Sequence, residues 1–234
     1  MENNNSDITF ITNEEGQKLR DRFNDLIKHC QAFYSLSGYF YLSGFHQIYK
    51  SLENVDKVKI LIGIGTDKKT FNVIDKSESE MVEFHSDSAI KDESEQLVLE
   101  DIENSEDSKE IELSIKKFLE WIQNGKLKIK AYPSKKIHSK LYIFTLKNDY
   151  IDKGRVITGS SNLTQAGLVD NLEFNVELKN RSDYEFALNK FNELWQQAVD
   201  LNENFVLNIN HKTWLKDDIT PYEHYLKFLY EYFK

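Results

Sequence analysis

The stretch IHSKLYIFTLKNDYIDKGRVITGSSNLTQAGLVDNLEFNVEL, residues 137–178, decides how this chain folds. Leu141 to Leu146 form an apolar and aromatic run that is typical of a buried strand. A second short strand, Arg155 to Thr158, leads into a turn at Gly159, where glycine permits a sharp turn or a close approach of the backbone. A third strand is predicted from Glu173 to Leu178, with apolar Phe174, Val176 and Leu178 alternating against polar neighbours.

Reactive side chains gather at the ends of these strands. His138 and Lys140 stand at the start of the first strand and, being two residues apart, project from the same face. Ser160 and Asn162 follow the second strand, and Glu173 opens the third. Each alone fits a surface histidine, an ordinary turn or a solvated charge, but their order within residues 138–173 favours a shared site. The set suits attack on a phosphate ester without a metal.

The arrangement His138-x-Lys140, Gly159-Ser160-x-Asn162 and Glu173, which lies 11 residues after Asn162, resembles the signature of the phospholipase D superfamily in its single-motif nuclease branch. The family pattern usually places an Asp five residues after the Lys, and this chain has Thr145 there. The resemblance implies a covalent mechanism in which neutral His138 attacks phosphorus and a second histidine protonates the leaving oxygen and then activates water. Glu173 would fix the tautomer of His138 through a hydrogen bond to its other ring nitrogen.

The other site residues are assigned to binding the phosphate. Lys140 and Asn162, with Ser160, would donate to the non-bridging oxygens as negative charge builds. Lys135, Lys136 and Ser161 are expected to bind substrate beside them. No metal and no cofactor are expected, and ATP and Mg²⁺ would matter only if a helicase domain follows in a longer protein.

The mechanism needs two histidines, and the chain carries one such motif. None of the other five histidines is followed two residues later by Lys: His29, His46, His85, His211 and His224. The resemblance therefore implies a homodimer formed through the active-site face, with both His138 side chains at a two-fold axis.

The formal net charge of −9 is unusual for a protein that handles nucleic acid, but the charge is unevenly spread. Residues 75–113 hold 15 Asp and Glu against three Lys, a net of −12, which leaves +3 for the rest. A lysine-rich approach to the motif follows, and it suits a nucleic-acid backbone or, alternatively, a solvated strand edge protected from aggregation: Lys126, Lys128, Lys130, Lys135, Lys136 and Lys140.

The rest of the chain predicts an α/β fold with a mixed β-sheet sandwiched between helical layers, as the resemblance also implies. Helices are expected at residues 14–33, 43–52 and 183–201, and strands at 8–11, 34–41 and 58–64. The acidic insertion, about residues 75–124, is expected to contain a loop over 86–95 and then one or two amphipathic helices ending near Asn124-Gly125. Cys30 is the only cysteine in the sequence, so an internal disulfide is excluded, and its side chain is expected in the core.

Residues 1–220 are expected to form the phospholipase D-like nuclease domain, and residues 221–234 the start of a linker helix to a further C-terminal domain. Ile219-Thr220-Pro221-Tyr222-Glu223 and the aromatic helix after it resemble the junction between a nuclease-like domain and the motor of a superfamily 2 helicase. The chain shows no secretion signal and no apolar run of about 20 residues, so we expect a cytoplasmic protein without a membrane partner.

Two classes of function stay open at this point. The first is a metal-independent DNA nuclease, the nuclease arm of a larger helicase, with RNA as an open alternative substrate. The second is a catalytically weak or inactive DNA-binding or dimerisation module of a helicase or restriction system, favoured by the missing Asp and the acidic charge. A lipid-cleaving enzyme ranks third because the chain has neither a second motif nor a membrane-facing helix.

Overall fold

One eight-stranded sheet organises the molecule, with strand order β1-β7-β6-β5-β2-β3-β4-β8. The computed structural model describes residues 9–63, 87–103, 105, 108–133, 137–148, 150–201, 206–207, 209, 211–213, 215 and 220–233. The strands are β1 Phe10–Ile11, β2 Cys30–Ser37, β3 Lys57–Gly63, β4 Leu127–Tyr132, β5 Leu141–Leu146, β6 Gly154–Gly159, β7 Asn175–Leu178 and β8 Val199–Asp200.

The sheet is mixed, and its topology gathers the motif residues at one edge. Strands β2, β3 and β4 are parallel, whereas β2–β5, β5–β6 and β6–β7 pair antiparallel. Leu141 at the start of β5 therefore lies opposite Leu36 near the end of β2 and opposite Thr158 near the end of β6. Gly159 in turn faces Asn175 at the start of β7. We call this edge, formed by the ends of β2 and β6 and the starts of β5 and β7, the site edge.

Helices cover both faces of the sheet. The α-helices are α1 Leu19–Ile27, α2 Leu42–Leu52, α3 Asp87–Glu103, α4 Lys109–Gln123, α5 Arg181–Gln197 and α6 Pro221–Phe233, and a short π-helix spans Ala166–Asp170. Residues from α1 to α4 pack with one face of the sheet, and α5 packs with the other through Tyr184, Ala187, Phe191 and Trp195. The predicted fold class, a mixed sheet between helical layers, is confirmed.

Aromatic side chains fill the larger core, between the sheet and α1. The ring of Phe23 on α1 makes edge contacts with Phe33, Tyr142 and Phe144, at centroid distances of 6.1, 4.7 and 5.1 Å. All four side chains are fully buried, and each contributes roughly 2–3 kcal/mol through the loss of apolar surface from water. This packing fixes the strands that carry the motif. Cys30 lies in the same core, as expected, and burial raises the pKa of its thiol to about 12.

Three predicted boundaries were wrong. The helix expected over residues 183–201 ends at Gln197, and Val199 and Asp200 form β8, which pairs with β4. The expected helix over residues 14–33 ends at Ile27, and Cys30 to Ser37 instead form β2, because pairing with β5 on one side and β3 on the other satisfies the backbone there. Residues 87–95, expected within a loop, belong to helix α3. Helix α4 does end where predicted, with Asn124 as its C-cap and Gly125 at φ +79°.

Strand β7 presents the opposite face from the one its pattern predicts. Asn175 and Glu177 are buried, while Phe174 is exposed. The Glu177 carboxylate accepts hydrogen bonds from Arg22 Nε and Nη2 on α1 at 2.7 and 2.8 Å, and Arg155 Nε lies 3.8 Å away. Because these guanidinium groups satisfy the charge, a glutamate takes a place where an apolar residue was expected.

Candidate active site

His138 and Lys140 meet at the site edge, just before β5. The imidazole is exposed, whereas Lys140 is 6 % exposed. Lys140 Nζ lies 3.0 Å from Nδ1 and 3.2 Å from Nε2 of His138, and it donates to the His138 carbonyl oxygen at 3.0 Å. An ammonium this near to both ring nitrogens lies against the face of the ring. Burial lowers the pKa of Lys140, and the negative charge of Glu173 acts in the opposite direction.

Asn162 is held by the end of β2. Its Oδ1 accepts from the backbone N–H of Tyr39 at 3.1 Å and lies 3.2 Å from the hydroxyl of Ser37, which itself accepts from the Leu163 N–H at 3.0 Å. Because the amide oxygen is engaged in this way, the amide nitrogen is the end of Asn162 that can donate to a ligand.

Gly38 lies against both His138 and Asn162. A Cβ on Gly38 would stand 3.5 Å from Asn162 Oδ1 and 3.6 Å from His138 Cδ2, which is ordinary contact. A larger side chain would therefore extend into the space beside the imidazole and the amide. In the sequence, Gly38 belongs to no motif, and its only signal is that of a glycine interrupting the strand predicted at residues 34–41.

Ser160 and Glu173 form a pair at the junction of β6 and β7. The Ser160 hydroxyl donates to the Glu173 carboxylate, and the Phe174 N–H donates to Ser160 Oγ at 3.0 Å. A Cβ on Gly159 would overlap the Phe174 carbonyl oxygen, so glycine is required there for close approach. Among the described residues, the hydrogen bonds of the Glu173 side chain run to Ser160 and Asn171, at 3.5 Å for the latter, and not to His138 as expected.

Of the three residues predicted to bind substrate, Ser161 is the one that the structure describes. Lys135 and Lys136 lie outside the described residues. Ser161 is fully buried, and its hydroxyl accepts from Asn175 Nδ2 at 2.8 Å. Its side chain thus joins β6 to β7 inside the molecule and does not reach a substrate at the surface. The reason is the alternation of the chain after Gly159, which turns Ser160 outward and Ser161 inward.

Thr145 stands where the family pattern has an Asp, and it lies away from the site edge. It pairs with Gly154 near the far end of β5, and its hydroxyl contacts the Tyr184 hydroxyl at 2.9 Å. Within the part of the chain that the structure describes, no group of three or more His, Cys, Asp or Glu side chains is placed to hold a metal ion.

A buried asparagine outside the motif holds the segment that follows Asn162. Asn13 donates through Nδ2 to the carbonyl oxygens of Gly167 at 2.8 Å and Asn171 at 3.1 Å, and its Oδ1 accepts from the Leu19 N–H at 2.8 Å. Gly167 in turn packs so closely on the Asn162 backbone that a Cβ would overlap it. Asn13 therefore ties the start of α1 to the segment that carries Asn162, and no periodicity or motif pointed to it.

Comparison with known proteins places these observations in a family. The family described as "Cardiolipin synthase, PLD-like domain" matches residues 23–195. No curated protein sequence matches the chain.

Solved structures with a similar arrangement include three proteins of low sequence identity. Nuc, a phospholipase D family member from Salmonella typhimurium, is 16% identical with a TM-score of 0.48 over 83% of this chain and 97% of its own. Phosphatidylserine synthase from Haemophilus influenzae Rd KW20 is 17% identical, TM-score 0.47, over 95% of this chain and 44% of its own. TrmBL2, an archaeal chromatin protein, is 16% identical, TM-score 0.40, over 81% of this chain.

The chain thus spans about half the length of two of these proteins, 52% of TrmBL2 and 44% of the synthase. In the described residues no helix is long and apolar enough to cross a membrane. Because the family match covers most of the sheet and all five motif residues from His138 to Glu173, the chain belongs to the family of phospholipase D-like domains.

Proposed function

We propose that this domain is a metal-independent phosphodiesterase that cleaves DNA through a phosphohistidine at His138. The observation that carries the proposal is the meeting of an exposed imidazole with a buried ammonium 3.0 Å away, opposite an asparagine whose amide oxygen is anchored. This arrangement provides a nucleophile and two donors for a phosphate at one edge of the sheet.

The reaction proceeds in two displacements. A ring nitrogen of His138 attacks phosphorus, the P–N bond forms, and the P–O bond to the leaving oxygen breaks as that oxygen takes a proton from a second imidazole. That imidazole then removes a proton from water, the resulting hydroxide attacks phosphorus, and the P–N bond breaks to regenerate His138. Lys140 and the Asn162 amide nitrogen donate to the non-bridging oxygens, where the negative charge increases.

Ser160 and Glu173 have a positioning role, in which the serine hydroxyl orients the carboxylate that acts on Lys140. Because Ser160 donates its hydroxyl proton to Glu173, the serine oxygen is oriented and the carboxylate is held close to the ammonium of Lys140, whose pKa it acts to raise. In this role the charge of Glu173 favours the ammonium form of Lys140 and partly offsets the effect of burial, which lowers the pKa of that group.

The second imidazole comes from a second copy of the chain, so the active form is a homodimer assembled through the site edge. An apolar surface beside Glu173 supports this arrangement: Leu172, Phe174 and Phe10, on the paired edge strand β1, are 69%, 64% and 60% exposed. A dimer that covers these side chains removes apolar surface from water and brings two copies of His138 toward each other.

We further propose that the domain is the nuclease arm of a cytoplasmic helicase, to which α6 connects it in cis. Support comes from α6 itself, which begins at Pro221 as expected and exposes Phe228, Tyr232 and Phe233. Proteolysis of the native gene product followed by mass spectrometry tests this link, and a native chain that ends near Lys234 would contradict it.

Labelled single- and double-stranded DNA incubated with the dimer in excess EDTA tests the nuclease proposal. The wild type should cleave, and His138→Ala should not, while both bind DNA. Gln165→Ala, at an exposed position three residues after Asn162, provides the matched control and should cleave like the wild type. DNA left intact by a dimer that still binds it would favour the non-catalytic binding module; RNA as a parallel substrate decides between the two nucleic acids.

A further inference from the structure

Four lysines lie together on the α5 face of the sheet, away from the site edge. Lys57 and Lys59 are on β3, and Lys128 and Lys130 are on the adjacent strand β4. Lys59 is directly paired with Lys128 across the two strands. Because residues two apart on a strand share a face, all four project on the side opposite Val58, Ile60, Leu127 and Ile129, which are buried in the other core. We call these four side chains the lysine face.

The lysines crowd one another. Burial lowers the pKa of Lys59, and the positive charges of Lys57, Lys128 and Lys130 lower it further. Among the ion pairs of the described residues, none involves a member of the lysine face. Asp200, opposite Lys130 on β8, stands at the margin of the face. Concentrating cations in this way costs free energy that an anionic partner would recover.

Lys59 and Lys130, the inner pair of the lysine face, contact aromatic rings, and Lys130 also contacts the C-terminal end of α5. The ammonium of Lys59 lies 4.9 Å from the Trp195 ring centroid and 5.5 Å from that of Tyr34, and that of Lys130 lies 5.4 Å from Trp195. Lys130 also donates to the Ala198 carbonyl oxygen at the end of α5, at 3.4 Å. These contacts fix where the inner charges stand. Lys57 and Lys128 are exposed, and their ammonium groups are available to a partner.

We propose that the lysine face is a second nucleic-acid contact, which holds the phosphate backbone of the DNA whose cleavage takes place at His138. Neighbouring lysines on the face are about 5–7 Å apart, from the separation of paired strands and the rise of two residues along one strand. His138 lies on the order of 20 Å from Lys59 by the same measure. Lys59 is paired through Tyr34 on β2 with Ile143 on β5, which is two strands across, and His138 is five residues before Ile143. That separation corresponds to about six base pairs of duplex at 3.4 Å per pair.

DNA is the polyanion that the proposed function brings to this chain, and the overall charge of the chain requires a local surface to bind it. With a net charge of −9, the chain repels a polyanion as a whole, so binding requires local cation clusters. The lysine face extends the basic surface sideways from the strand that approaches the motif. The inference that this face binds nucleic acid rests on the proposed function only in taking DNA as the ligand. The test below measures binding without turnover.

The test uses the full chain with His138→Ala as parent and a labelled duplex of about 30 base pairs, with affinity measured by fluorescence anisotropy across a series of salt concentrations. The double variant Lys57→Gln/Lys128→Gln removes the two exposed charges. Because each phosphate contact contributes about 0.9 to the slope of log affinity against log salt, the slope should become shallower by about 1.8. At about 0.1 M salt this corresponds to a loss of affinity of up to about 60-fold.

Two controls make the outcome specific. Lys28→Gln/Lys117→Gln gives the same change in net charge in the opposite helical layer, at the exposed C-cap of α1 and at a partly exposed position on α4, and should bind like the parent. Lys57→Arg/Lys128→Arg keeps the charge and should also bind like the parent.

Unchanged affinity and slope in the glutamine double, or equal weakening in both glutamine doubles, would overturn the proposal. So would loss of binding to phosphatidylserine vesicles with DNA binding intact, which would assign the face to a lipid surface. A parent that binds through the lysine face while the wild type fails to cleave would refute only the nuclease proposal.

Discussion

Replacement of Asn13 by alanine tests how the segment after Asn162 is held in place. Asn13 is 4% exposed and has φ +64°, a left-handed conformation that asparagine tolerates better than alanine. Alanine removes the hydrogen bonds to Gly167, Asn171 and Leu19. The Gly167 carbonyl and the Leu19 N–H are buried and would lose these partners.

The expected cost follows from these losses. Each buried polar group left without its partner costs about 1–3 kcal/mol, and the left-handed backbone adds about 1 kcal/mol for alanine. We therefore expect Asn13→Ala to lower the free energy of unfolding by about 3–7 kcal/mol, and the melting temperature by roughly 10–20 °C for a domain of this size.

Urea denaturation monitored by circular dichroism measures this loss of free energy of unfolding. Asn13→Gly is the matched control, because glycine accepts the backbone conformation and loses only the hydrogen bonds; it should be about 1 kcal/mol more stable than Asn13→Ala. If Asn13→Ala were within about 1 kcal/mol of the wild type, the hydrogen bonds would not be holding the segment, and the reasoning would be wrong.

Three further predictions concern the site and its support. Gly38→Ala should retain DNA cleavage, since a Cβ there makes ordinary contacts, whereas Gly38→Leu should fold, as judged by its circular dichroism, yet lose cleavage by filling the space beside His138 and Asn162. Lys140→Met should abolish cleavage but raise the stability to urea at pH 7, because burial lowers the pKa of this ammonium and so charging it costs stability in the native state. The gain in stability of Lys140→Met over the wild type is full at pH values below the pKa of Lys140 in the native state. It shrinks as the pH rises towards the pKa of the lysine in the unfolded chain, because the native lysine then loses its charge. A difference in stability between variant and wild type that grows from pH 7 to 9.5 would contradict this. Glu177→Gln should lower the free energy of unfolding by about 3 kcal/mol, because it leaves Arg22 and Arg155 without the buried charge between them; an unchanged urea midpoint would refute this.

The strands of the motif could be predicted because their signals are local. The apolar run at β5, the glycine after β6 and the apolar stripes of α2 and α5 each reflect burial on one side or both, and the structure places them within a few residues of the prediction. Strand β2 was harder because Cys30 to Phe33 continue the apolar spacing of α1. Only their pairing with β5 and β3, which are distant in sequence, decides in favour of a strand.

The details of the site depend on contacts that a single sequence does not encode locally. Alternation along β7 predicted the wrong buried face because the pairing of Glu177 with Arg22 joins residues 155 positions apart. Ser161 was assigned to the substrate because it lies inside the motif, yet the alternation of the backbone turns it inward to Asn175. Gly38 leaves open the space beside His138 and Asn162, and Asn13 adopts a left-handed backbone; neither feature leaves a periodic signal in the sequence.

The most direct test of the central claim is transfer of phosphate label to the protein. Wild-type protein is mixed with DNA carrying radioactive phosphate at the scissile bond in EDTA, quenched in alkali within the first turnover, and digested for peptide mapping. The account predicts label on the peptide that contains His138, stable to alkali and lost in acid as expected of a P–N bond, and absent from His138→Ala. DNA cleavage without label at His138, or label that persists in His138→Ala, would contradict it.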